Sequence, residues 1–291
     1  MITPQSQQQS SDAPVALITG AGAGIGRLAA LDLAARGYRV LLVGRTLSKL
    51  DSVREAMMGA GASHVPECVA LDLGDLGAVR RGASQILGQT PKLHLLINNA
   101  GVAAERGVST DGFERTFAVN HLGHFALTLQ LWPALRNAGH ARVITVASRA
   151  HRHCRAWSWD SVRGPTRSLT GVPEYAQSKL ANILFATELA RRAAVSGVYS
   201  CSLHPGVLDT EIWRQLPAWL RVMNRWRLDA ADAGGRALVH AALDAPADTN
   251  GKYFDGTRLQ NPSTLACDAD LARTLWVKSL QWTQLTDPTT V

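Results

Sequence analysis

Residues 15–26 read Val15-Ala16-Leu17-Ile18-Thr19-Gly20-Ala21-Gly22-Ala23-Gly24-Ile25-Gly26. An uncharged run ends in closely spaced glycines, and beyond them Ile25, Leu28, Leu31 and Leu33 form a helical stripe that Gly37 stops. A short, continuous apolar run is what a strand buried on both faces of a parallel sheet requires. Glycines between strand and helix let the backbone turn sharply and approach a pyrophosphate, while the helix offers free N–H groups and its positive dipole end. Glycine clusters also serve ordinary turns; the strand before and the helix after this one favour the phosphate reading.

The same alternation continues along the chain. Arg39–Val43 is a second buried run, followed by a helix over about Thr46–Gly59. Further strands are expected at Val65–Leu71, Leu93–Ile97, Arg142–Ala147 and Val198–Leu203, with a short one near Lys252–Phe254. Helices are expected over Phe113–Asn137, broken near Asn120, and over Glu174–Ala194 and Ala230–Ala242. This predicts one α/β domain over residues 15–291, a Rossmann-type doubly wound parallel sheet of about seven strands with helices on both faces. Residues 1–14 are polar, lack the charged start and apolar core of a secretory signal, and read as a disordered tail.

Composition narrows the partners. With 46% hydrophobic and 18% charged residues the 291-residue chain reads as a globular protein with a sizeable core. The net charge of +7 comes mostly from arginines that are scattered, as at Arg36, Arg54, Arg115 and Arg191, so no nucleic-acid partner is expected. Cys68, Cys154, Cys201 and Cys267 show no paired spacing, and no apolar run reaches membrane-span length. A cytoplasmic protein with reduced thiols is the expectation. His121 and His124 suggest a metal pair, but no third ligand accompanies them and no metal is expected.

Later segments carry further motifs: Leu71-Asp72-Leu73 after the third strand, Asn98-Asn99-Ala100-Gly101 at the end of the fourth, then Asn120, Ser148, Tyr175, Lys179, Pro205-Gly206 and Thr210. With the Gly20…Gly24…Gly26 spacing, this ordered set resembles the short-chain dehydrogenase/reductase family over about Val15–Thr210. Asp111-Gly112-Phe113-Glu114, Val119-Asn120-His121-Leu122-Gly123-His124-Phe125, Tyr175–Asn182 and the long interval before Tyr175 are similar to its retinol-dehydrogenase-like branch. One departure is Gly22-Ala23, where relatives often carry Asn and a small polar residue. The resemblance implies a nicotinamide dinucleotide on Gly20, Gly22, Ala23, Gly24, Ile25 and Gly26, with Asp72 and Leu73 near the adenine. It extends that set to Asn99, Ala100, Gly101, Tyr175, Lys179, Pro205, Gly206, Val207 and Thr210. It places Asn120, Ser148, Tyr175 and Lys179 on catalytic positions, Asn120 holding a kinked helix and a water that passes protons toward Lys179.

The end of the second strand bears on which dinucleotide. An acid there accepts hydrogen bonds from both ribose hydroxyls and repels a 2′-phosphate. This chain has Val43-Gly44-Arg45, which predicts NADP(H) over NAD(H), the alternative being that Arg45 merely opens a solvated helix. Tyr175 and Lys179, four apart, share a helix face. A free phenol titrates near about 10, and a neighbouring ammonium is expected to lower that value, so that Tyr175 serves as acid and base between a carbonyl and an alcohol. Ser148 is expected to hydrogen-bond the same oxygen.

The substrate is less legible. Residues 207–228 contain Trp213, Leu216, Pro217, Trp219, Leu220, Met223 and Trp226, which suggests a lid over a bulky apolar or aromatic substrate. A helix packed on the core ranks second, and a basic membrane-contacting face over 213–227 ranks third. His151, Trp157, Trp213 and Trp219 are the candidate substrate contacts; His204 reads as positional. Two further readings stay open: a reductase of a C=C or C=N bond, and a catalytically silent nucleotide-binding scaffold. A homodimer through the two long helices is also open.

Overall fold

Parallel strands buried on both faces need apolar side chains above and below, and the runs read from the sequence supply them. A computed structural model describes residues 13–103, 105–206 and 229–290. Its strands are β1 (Val15–Thr19), β2 (Arg39–Gly44), β3 (Glu67–Ala70), β4 (Leu95–Asn98), β5 (Ala141–Val146), β6 (Val198–His204), β7 (Tyr253–Asp255) and β8 (Arg258–Gln260). They lie in the order β3-β2-β1-β4-β5-β6-β7-β8, in a single α/β domain. β1 to β7 are parallel; Ile18 sits between Leu42 and Ile97 in register.

To the roughly seven strands expected, the structure adds an eighth. β8 runs antiparallel to β7 behind a turn in which Gly256 takes φ 61°. Its residues Arg258, Leu259 and Gln260 are exposed, so no apolar run announces it. β3 is also shorter than expected, because Val65 is 54% exposed and pairing begins at Glu67 on an edge strand.

Helices cover both faces. On one, α1 (Gly24–Ala35), α2 (Leu47–Gly59) and α8 (Asp229–Val239) bury Ile25, Leu33, Leu50 and Leu238 against Ala16, Ile18, Leu42 and Ile97. On the other, α3 (Leu76–Gln89), α5 (Gly123–Gln130), α7 (Val172–Arg192) and α9 (Ala269–Thr283) bury Val79, Phe125, Leu184 and Trp276 against Leu17, Leu41, Leu96 and Val143. The helix expected to break near Asn120 does so. A short α4 (Arg115–Phe117) passes into a π-helical turn at Ala118–Leu122, where the Gly123 amide reaches back to the Ala118 carbonyl, then into α5 and α6 (Trp132–Asn137). Such turns insert one residue into the helical ladder and re-aim the side chains around them.

α9 closes the outer side of α5 and α7. Trp276 stands edge-on to Phe125 at 5.1 Å, stacks on Phe185 at 5.9 Å, lies under the Arg192 guanidinium at 4.7 Å and donates its indole N–H to Asp287 at 2.9 Å. α9 thus packs on both of the long helices considered for a homodimer. The later part of the interval 149–171 is held by two carboxylates: Glu114 accepts from the Thr166 hydroxyl at 2.6 Å, and Glu174 accepts from the Arg167 and Ser168 amides and the Ser168 hydroxyl. Among the described residues no helix is long and apolar enough to cross a membrane.

Because Trp276 is 2% exposed and joins α9 to both long helices, Trp276→Ala is expected to cost about 3–5 kcal/mol of stability, read from the urea midpoint. A loss below about 1 kcal/mol means that α9 is not integral to the core.

Candidate active site

The strand order reverses between β1 and β4, and a cleft of about 800 Å³ opens there, at the carboxyl ends of the strands. Thr19, the last residue of β1, closes the bottom. Its hydroxyl accepts the Asn99 and Ala100 amides at 2.9 and 3.0 Å, while the Asn99 side chain donates to the Thr19 carbonyl at 2.8 Å. Gly20 turns with φ 68°, and a β-carbon there would stand 2.9 Å from the Ala100 Cα. A β-carbon on Gly26 would stand 2.5 Å from the Gly20 carbonyl oxygen, so only glycine lets α1 approach this closely. Ala23 precedes α1 without a side-chain cap, which leaves first-turn N–H groups facing the cleft for an anion.

Along the cleft, the β2 end presents Gly44, Arg45, Thr46 and Lys49; the middle presents Gly20, Gly22, Ala23, Gly24, Ile25, Asp72 and Leu73. Beyond β4 come Asn99, Ala100 and Gly101, and past β5 and β6 come Ser148, Tyr175, Lys179, Pro205 and Gly206. The structure therefore brings nearly the whole expected set to one surface. Gly26 lies beneath the loop and Asn120 behind Gly101. Val207, Thr210, Trp213, Trp219 and the rest of 207–228 lie outside the described residues, as do residues 1–12 of the expected tail.

Two expected substrate contacts lie elsewhere. His151 is fully buried: Nδ1 reaches the Ser148 carbonyl at 2.6 Å, Nε2 accepts the Ser263 amide at 3.1 Å, and the ring meets Tyr253 at 5.2 Å. It pins the start of the 149–171 interval and does not line the cleft. Trp157 packs edge-on against Trp159 at 5.1 Å and Phe117 at 6.4 Å, on the core side of that interval. Lys49, Thr46, Val119, Arg149 and His204 do line it and were not anticipated. For Lys49 a signal existed, a second cation one helical turn after Arg45.

The catalytic candidates converge at the β5 end. α7 buries Tyr175, 5% exposed, and Lys179, 2% exposed, over the last residues of β5. The Lys179 ammonium donates to the Val146 carbonyl at 3.0 Å and lies 5.8 Å from the Tyr175 ring centre. Burial pushes the Tyr175 phenol up to about 12, partly offset by its hydrogen bond with Ser148. Burial likewise pushes Lys179 down to about 7. Desolvation thus acts on both groups, raising the phenol and lowering the ammonium. Burial keeps the Tyr175 phenol protonated beside Ser148, and Lys179 titrates near neutrality.

Asn120 occupies the π turn. Its side chain accepts the Val102 amide at 2.8 Å and donates to the Val102 carbonyl at 2.9 Å and the Ser178 hydroxyl at 3.0 Å. Ser178 in turn donates to the Tyr175 carbonyl at 2.8 Å, so the kinked helix is tied to α7 within one turn of both candidates. His204, 7% exposed at the end of β6, is pushed down to about 4 mainly by burial and stands without a ring-nitrogen partner among the described residues. Among the described residues no group of three metal-ligating side chains stands together.

A family model described as short chain dehydrogenase matches residues 14–221. The chain is 36% identical over 282 residues to human (Homo sapiens) retinol dehydrogenase 13, covering 94% of this chain and 85% of that one. It is 39% identical over 285 residues to the polyprenol dehydrogenase of Mus musculus, covering 92% and 83%. Among solved structures, an uncharacterized protein from Mycobacterium Paratuberculosis superposes with a TM-score of 0.76 at 34% identity, covering 95% of this chain and 97% of that one. A protein from Beutenbergia cavernae assigned as an NAD(P)-dependent gluconate 5-dehydrogenase, with NADP bound, superposes at 0.65 and 26% identity, covering 84% and 96%.

The buried ammonium has a pH signature. With its folded pKa near 7, below an ordinary lysine, the cost of burying the charge is present in full below about pH 7 and fades as pH rises toward the unfolded value of about 10.4. Lys179→Met is therefore expected to stabilise the fold by roughly 1–3 kcal/mol at pH 6–7, with the gain shrinking at pH 9–10. The Val146 carbonyl keeps the Asn182 amide at 3.0 Å. Urea melts of both proteins across this range check it; a gain independent of pH means that the lysine is not buried as a charge.

Proposed function

The chain belongs to the short-chain dehydrogenase family of oxidoreductases, and on that premise we propose that it interconverts a carbonyl and an alcohol on a bulky apolar substrate, using NADP(H) with Tyr175 as acid and base. The observation that carries this reading is the Ser148–Tyr175–Lys179 group, its tyrosine and lysine buried, at one end of a cleft whose other parts are a glycine loop and an uncapped helix start. A bound reduced dinucleotide supplies a hydride there. Tyr175, kept protonated by burial, donates its phenolic proton to the substrate oxygen and takes it back in the reverse direction. Ser148 shares that hydrogen-bonding position and orients the same oxygen. Lys179, titrating near neutrality behind the phenol, returns the proton, and the tie from Asn120 to Ser178 keeps α7 in register with the cofactor loop.

Arg45 and Lys49 support the choice of NADP(H). Both line the β2 end of the cleft, and among the described residues no carboxylate lines that end. Two cations suit a 2′-phosphate. The NADP carried by the Beutenbergia protein agrees with that preference. An apolar substrate is supported by Val102, Ala103 and Val119 on the cleft wall and by relatives named for retinol and polyprenol.

Tyr175→Phe keeps the ring and removes the proton. Turnover of bulky ketones and aldehydes is expected to fall about 10²–10⁴-fold while the NADPH dissociation constant stays within about twofold; undiminished turnover removes Tyr175 from the role. Arg45→Asp is expected to weaken NADPH at least about tenfold and to favour NADH, because a charge-assisted contact is replaced by repulsion. Equal affinity of both proteins for both dinucleotides, read by tryptophan fluorescence, excludes the preference.

A further inference from the structure

His124 stands in the first turn of α5, 1% exposed, with both ring nitrogens engaged. Nδ1 lies 3.0 Å from the Asn120 carbonyl oxygen; a carbonyl only accepts, so Nδ1 carries the proton. Burial, with the Lys179 ammonium adding to it, pushes the imidazole down to about 4, so the ring is neutral and Nε2 is left as an acceptor. The partner of Nε2, at 2.8 Å, is the Thr19 hydroxyl.

That hydroxyl already accepts the Asn99 and Ala100 amides, which occupies its lone pairs. Its single proton faces Nε2 at 2.8 Å and the Ile97 carbonyl at 3.3 Å, and the shorter contact takes it. Donation therefore runs one way: from the two amides to Thr19, from Thr19 to His124, and from His124 to the Asn120 carbonyl. Each bond in such a chain polarises the next.

The ends of this chain are the two halves of the candidate site. At one end Asn99 also holds the Thr19 and Gly20 carbonyls, the first turn of the phosphate loop. At the other, the Asn120 Oδ1 and the Lys179 Nζ come within 3.1 and 3.5 Å of the single point where a β-carbon on Gly101 would stand.

We infer that His124 is a positioning residue for the reaction proposed above, a neutral, Nδ1-protonated imidazole that locks the π turn carrying Asn120 to the floor of the dinucleotide cleft. This rests on the proposed dehydrogenase reading. A histidine present only to fill the core is replaceable by an apolar side chain of similar size; here the proton on one nitrogen and the lone pair on the other are both used.

Long-range ¹H–¹⁵N spectra of the full chain at neutral pH read the tautomer directly, and His124→Leu and His124→Gln are compared for NADPH affinity and turnover. The expected results are an Nδ1-protonated His124, and a Leu variant with NADPH binding weakened about tenfold and kcat lowered about 10–100-fold at a Tm within a few degrees of the parent. Gln, whose amide keeps a donor and an acceptor, recovers most of both. An Nε2-protonated ring, a Leu variant equal to the parent, or a folded Gln variant no better than Leu overturns the inference. If the Leu variant does not fold, the tautomer and the Gln variant decide. Failure of the underlying reading is separate: Tyr175→Phe then retains turnover, whereas the tautomer and NADPH arms are unaffected.

Discussion

Two adjacent parallel strands, β1 and β4, end side by side where the strand order reverses, and their chains leave for different neighbours. Backbone groups at such ends have no strand partner to continue the ladder, and left buried and unpaired each costs on the order of 1–3 kcal/mol. Thr19 and Asn99 resolve this by lacing the ends together, hydroxyl to amides in one direction and side-chain amide to carbonyl in the other. Everything else in the site is placed relative to that knot. Gly20 and Gly26 are needed because the loop passes over it at distances no β-carbon tolerates. α1 begins where the loop clears it, and its first-turn amides point into the cleft as a consequence of topology.

The second constraint is a polar layer inside an apolar core. Asn120, His124, Ser178, Lys179 and Asn182 are each no more than 2% exposed, between the sheet and α5 and α7. Burying such groups is tolerable only where they satisfy one another. The Val146 carbonyl takes both Lys179 and Asn182, and Asn120 satisfies Val102 and Ser178. The cover supplied by α9, with Trp276 wedged over Phe125 and Phe185, keeps water from the layer on its far side. Desolvation is then the dominant force on both titrating groups: it holds the Tyr175 proton on and loosens that of Lys179.

Much of this was legible in the sequence because the same physics writes both. Doubly buried strands must be continuous apolar runs, and β1, β2, β5 and β6 were read to within a residue or so. The glycine loop and the Tyr175–Lys179 spacing were equally plain, since only one periodicity accommodates them. The edge strands were harder. β3 buries little beyond Val69 and β8 buries nothing, so hydrophobicity cannot mark their ends. His151 shows the other limit: a histidine beside a predicted pocket and one locked between Ser148, Ser263 and Tyr253 have the same letter. Two of those three partners, Ser263 and Tyr253, lie more than a hundred positions away. The tie from His124 to Thr19, across 105 positions, was hidden for the same reason.

The reaction proposed for this cleft delivers hydride to a carbonyl carbon while Tyr175 supplies the proton. It is tested most directly by reducing a bulky apolar ketone with NADPH carrying deuterium at the reactive C4 position and locating the label in the product. The expected product carries one deuterium on the carbinol carbon, with none exchanged into solvent. Label on a carbon beside an intact carbonyl contradicts it in favour of double-bond reduction, and unlabelled product or no product contradicts it outright.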